Sequence, residues 1–139
     1  MLGIVKTLSI MAMLMDTTAM SENLANLDQA GRMKLMSEIA SMLNANLPIM
    51  VDQETQLDSV IGFPNEIRYK HTLVNYASEE LDVDHFNRSM QPRLRNSVCT
   101  TSETRMFINA GLDVSYAYYS NEGNHIAMIT ISQAACERM

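Results

Sequence analysis

Apolar residues recur along this chain at two different periods, and each switch of period marks a new element. From Ser21 to Asn46, Leu24, Leu27, Leu35, Ile39, Met42 and Leu43 fall close to helical spacing, with Ser21 as N-cap and Glu22 in the first turn. Gly31 weakens the middle of that helix, and Pro48 ends it, since proline rejects a helical residue before it. The period then drops to two. Thr55 to Ile61 alternates polar with apolar, Gly62 to Glu66 supplies turn residues, and Ile67 to Val74 puts Ile67, Tyr69, His71 and Leu73 on one face. Helical spacing returns after the polar connector Tyr76 to Glu80. Asp82 or Asp84 serves as N-cap there, Val83, Phe86, Met90, Leu94 and Val98 form a stripe, and Pro92 lies inside it as a predicted kink. A short helix from Ser102 to Ala110, with Ser102 as cap, ends at Gly111 as a left-handed C-cap does. Leu112 to Tyr119 and Ile126 to Ile131 then alternate around Ser120-Asn121-Glu122-Gly123-Asn124, the clearest hairpin signal in the chain.

The resulting order α-β-β-α-α-β-β predicts an α+β fold: an antiparallel sheet of about four strands, in two hairpins, with helices packed on one face. Residues 21–139 read as a single domain, and 139 residues are enough to bury a core without help. The first twenty residues stand apart. Lys6, the apolar stretch Leu8 to Met15 and the small residues Thr17 and Ala19 resemble a signal peptide; a packed apolar helix is the alternative, and the stretch is too short to span a bilayer.

Charge narrows the function classes. Sixteen acidic residues against ten basic ones give −6, which disfavours nucleic acid, because phosphate contacts need clustered Lys and Arg. Methionine is abundant, at 13, and Met11, Met13 and Met15 have the alternate spacing of soft copper(I) sites, but no His or Cys lies near them and methionine is an ordinary apolar filler.

The cysteines carry the strongest single signal. Cys99 and Cys136 are an even pair without a CxxC spacing, the pattern of a structural disulfide in an oxidising compartment. Such a bond closes a loop of about 36 residues, for which the chain-entropy model gives roughly 3 to 4 kcal/mol. A nucleophilic Cys99 with His71, His85 or His125 as base lacks any local signature, and Asp82-Val83-Asp84-His85 lacks metal-ligand spacing and doubles as a helix start. No phosphate loop or hydrolase elbow is present, so no catalytic residue, cofactor or metal is assigned. Five tyrosines against three phenylalanines suit a contact surface. Tyr116 and Tyr118 share one strand face and Tyr119 takes the other; with Arg105 they form the candidate interface.

The run from Lys70 to Cys136, containing KHTLVNYA, NSVC, ETRMFINAGLDVSYAYY, NEG and a last cysteine, resembles a group of small exported, mostly uncharacterised proteins of Gram-negative bacteria. The likeness extends from about Leu47 onward. It implies a leading signal peptide, both cysteines, a pair like Thr104-Arg105 on the short helix, and a periplasmic or outer-membrane-associated α+β domain; it implies no activity. The expectation is a periplasmic, non-enzymatic protein that acts by protein-protein contact as a binding or accessory factor. The alternative is an immunity protein or inhibitor antagonising a toxin or enzyme, cytoplasmic if the N-terminal segment is retained.

Overall fold

The computed structural model describes residues 17–139, so the apolar stretch of the expected signal segment and its three alternate methionines lie outside the described residues. Thr17 to Met20 already belong to helix α1, Thr17–Asn26. The single helix expected from Ser21 to Asn46 is two. Asp28 takes an extended backbone and its carboxylate accepts the Gly31 amide at 2.8 Å, capping α2, Gln29–Asn44, and breaking the run that periodicity alone joins. Ser21 is correspondingly a buried residue within α1 and not a cap.

Strands β1 (Ile49–Met50), β2 (Thr55–Phe63) and β3 (Glu66–Leu73) follow, then a 3-10 turn at Ser78–Glu80, helix α3 (Val83–Thr100), helix α4 (Ser102–Asn109), strands β4 (Asp113–Ser120) and β5 (His125–Ile131), and a terminal helix α5 (Gln133–Glu137). Asp82 is the N-cap of α3, which runs unbroken through Pro92. Thr101, not Ser102, precedes α4 as its cap position, and Gly111 follows that helix at a φ of +86°.

The sheet has five strands in the order β1-β2-β3-β4-β5. This corrects the expected all-antiparallel sheet of four: the two hairpins are present, but they meet along a parallel β3–β4 seam, and the short β1 adds a fifth strand beside β2. The reason is the connection. Parallel neighbours require a crossover, and the chain spends α3 and α4 on one between Leu73 and Asp113.

The parallel register sets Tyr69 opposite Tyr116 and His71 opposite Tyr118. These rings stack in a buried ladder: Tyr69 on Tyr116 at 5.5 Å, His71 on Tyr118 at 4.9 Å, and Phe86 of α3 edge-on to Tyr118 at 4.9 Å. Leu57, Ile67, Leu94, Val98, Phe107, Val114 and Ile131 complete the core around it, all fully buried. Along β2, beyond the reach of β1, the Asn44 carboxamide at the end of α2 accepts the Val60 amide at 2.7 Å and donates to the Val60 carbonyl at 2.8 Å. The same helix passes so close to β2 that a Cβ on Gly62 would collide with the Met36 carbonyl, which is why glycine stands there.

Cys99 near the end of α3 and Cys136 in α5 are joined by a disulfide with Cα atoms 5.5 Å apart. It pins the C-terminal half of α3, which also buries Leu94 and Val98, to the last helix.

Candidate functional site

The N-terminal half of α3 is packed less completely than the C-terminal half. Phe86 and Met90 continue the stripe of Leu94 and Val98 but are only half-buried, and Val83 is 37% exposed. Phe86 reaches the sheet, edge-on to Tyr118, but the stripe at this end is left partly uncovered. The uncovered part forms one wall of an open groove of about 530 Å³, whose other walls are the β1–β2 loop, the end of β3 and the 3-10 turn. Leu73, Leu81, Phe86, Met90 and Tyr118 give it an apolar floor.

Its rim is acidic and locally fixed. Glu54 accepts the Tyr76 hydroxyl at 2.7 Å, Glu80 accepts the Ala77 amide at 2.8 Å, and Asp82 accepts the His85 amide at 3.0 Å. The Glu54 carboxylate, by taking that hydrogen bond, raises the Tyr76 phenol above its ordinary pKa. Asp52 accepts the amides of Glu54 at 2.8 Å and Thr55 at 2.7 Å, which shapes the loop. Arg93 and His85 are the basic groups on the wall. On the floor, burial pushes the Tyr118 hydroxyl far up, so it is neutral at any physiological pH.

Behind Tyr118 sits His71, fully buried between two tyrosine rings, with neither ring nitrogen hydrogen-bonded among the described residues. Burial lowers its pKa to about 4, and it is neutral. The imidazole is a neutral, packed ring of the ladder. Among the described residues no three His, Cys, Asp or Glu side chains gather where they could hold a metal, and Cys99 is tied up in the disulfide.

The candidate interface residues are scattered. Tyr116 and Tyr118 are each 1% exposed and members of the ladder, on what is the core face of the strand, and of the two only Tyr118 borders the groove, as part of its floor. Tyr119 is half-buried on the opposite face, with the Lys70 ammonium 4.9 Å from its ring centroid and His125 edge-on. Arg105 lies on α4, bonding Asn109 at 3.0 Å and the Cys99 carbonyl at 3.4 Å, beside a smaller hollow between α1 and α4. Neither borders the groove. The groove residues were present in the sequence as a helix stripe and an acidic connector, and periodicity carried no signal that unites them.

The family model of a domain of unknown function, DUF8479, matches residues 30–127. The chain belongs to the DUF8479 family. The matched region of DUF8479 takes in every residue of the groove and Cys99, and stops within β5 before Cys136. No curated protein matches the chain in sequence. In fold, this DUF8479 member is similar to a Pseudomonas aeruginosa protein described as secreted, with a TM-score of 0.67 at 16% identity over 80% of this chain and 97% of that one. It is also similar to EpsS, the pilotin of the Vibrio vulnificus type 2 secretion system, with a TM-score of 0.61 at 16% identity over 78% of this chain and 94% of that one. The Vibrio cholerae type II secretion pilotin AspS gives 0.58 at 15% identity, again over 78% of this chain and 94% of that one. At such identities the likeness is one of fold. Among the described residues no helix is long and apolar enough to cross a membrane.

Proposed function

We propose that this protein is a small exported accessory factor, non-enzymatic, that works by holding a segment of a protein partner in the groove between the 3-10 turn and the first half of α3. The observation that carries the reading is the groove itself: an apolar floor of Leu73, Leu81, Phe86, Met90 and Tyr118 left open on an otherwise well-packed domain. Export is supported by the Cys99–Cys136 bond, which persists in an oxidising compartment, and by the resemblance of Lys70 to Cys136 to exported Gram-negative proteins. A role in assisting a secretion system is supported by the fold shared with two pilotins, although a fold carries function only through its site.

The test is a photo-crosslinking amino acid placed at Met90 in the groove and, as control, at exposed Met33 on α2, in the full chain produced in a Gram-negative host. The expected outcome is a discrete cross-linked protein from Met90 alone, with the chain recovered in the periplasmic fraction and both cysteines blocked to thiol reagents. Equal labelling from the two positions, or none from Met90, would overturn the groove as the working surface. Free thiols in a cytoplasmic fraction would overturn export.

A further inference from the structure

We infer that the segment this groove receives is basic as well as apolar: a peptide with hydrophobic side chains on one face and Lys or Arg flanking them. The inference rests on the groove being a peptide-holding site and adds the chemistry of its occupant. Three observations lead to it. The floor is apolar, so an occupant must bring side chains worth desolvating. The rim carries Glu54, Glu80 and Asp82, each oriented by a neutral donor and, among the described residues, none in an ion pair. Glu122 brings a further carboxylate to the 3-10 turn that walls the groove, accepting the Ser78 amide at 3.3 Å.

An anionic segment would meet these carboxylates as like charges across a partly desolvated contact, which costs several kcal/mol in comparable interfaces. A neutral apolar segment would bury them beside hydrocarbon without compensation. A basic one gains at the rim what it desolvates, while Phe86 and Met90 supply adaptable apolar contact, methionine being suited to partners whose packing is not fixed in advance. Arg93 and His85 leave one side of the groove less negative, so the cations of the occupant belong at the opposite side, toward Glu54 and Glu80.

The experiment uses the oxidised full chain, isotope-labelled, and three synthetic peptides of about 15 residues: one with Leu at helical spacing and Lys elsewhere, one with the same Leu positions and Glu in place of Lys, and a scrambled version of the first. Backbone amide shifts report where each binds, and titration gives affinity at low and at physiological salt. The expected result is binding of the Lys peptide at residues 80–93, weakened about tenfold in the Glu peptide and again by the added salt. Glu54→Gln with Glu80→Gln, which keeps the hydrogen-bond acceptors and removes the charge, should weaken the Lys peptide several-fold, roughly as expected for two rim charges. Equal binding of the Glu peptide at the groove overturns the basic chemistry while leaving a peptide-holding groove intact. Equal binding of the scrambled peptide overturns it too, since charge alone would then suffice. If no peptide shifts the groove amides the inference fails, and cross-linking from Met90 decides separately whether the groove holds a partner at all.

Discussion

The two halves of α3 share one apolar stripe and live in opposite circumstances. Toward the C-terminus, Leu94 and Val98 are fully buried and Cys99 is bonded to α5; toward the N-terminus, Phe86 and Met90 are half-covered and edge an acidic groove. One helix therefore serves as anchor at one end and as open wall at the other. What separates the two is not composition but how completely each is covered, together with a covalent tie at the end that needs no freedom.

The contrast can be broken first at the anchor. Reducing the Cys99–Cys136 bond should cost roughly 4 kcal/mol of stability, read as a lowered urea midpoint; an unmoved midpoint would mean that the tie is ornamental. Leu94→Ala should cost about 3 kcal/mol through lost burial and a cavity, whereas Met90→Ala at the groove end should cost less than about 1. Equal losses at the two positions would erase the distinction between the halves.

The ladder behind the groove offers a sharper probe. His71 titrates near 6.5 when unfolded and about 4 when folded, so the unfolded chain binds more protons between those values. Stability is full above about 6.5 and falls as the pH drops toward about 4, by about 3 kcal/mol for this one group. His71→Phe, which preserves a stacked ring, should flatten that part of the pH profile relative to the parent protein, measured by urea unfolding at a series of pH values. A variant with an unchanged slope would show that burial of the imidazole is not what acid exploits. A smaller effect is expected at the helix start: Asp82→Ala should remove about 1 kcal/mol by uncapping α3, and should loosen the amides of the groove end before those near Cys99 in hydrogen exchange.

Much of this architecture was legible in the residues. Both hairpins, the buried face of Ile67, Tyr69, His71 and Leu73, the glycine after α4 and the cysteine pair follow from period, turn chemistry and count. The break at Asp28 was not, because a cap inside a continuous periodic run is invisible to periodicity and depends on one carboxylate finding the Gly31 amide. The parallel seam was hidden as well, since alternation fixes which face a strand buries and says nothing of its neighbour's direction. That seam sets Tyr116 and Tyr118 beside Tyr69 and His71 in the interior, leaving Tyr118 only its edge on the groove floor. The groove escaped notice for a related reason: Phe86 and Met90 look in sequence like the buried Leu94 and Val98, and only their tertiary cover divides them.

Asn44 has one further consequence. An uncapped strand border invites a second chain to continue the sheet, and neighbouring molecules can then propagate that continuation without limit. Here the β2 border beyond β1 is closed at Val60 by a side-chain amide that imitates the backbone of an absent neighbour. That carboxamide occupies both backbone groups that a second chain would need at Val60, and Asn44→Ala is expected to register first as turbidity and only afterwards as lost stability.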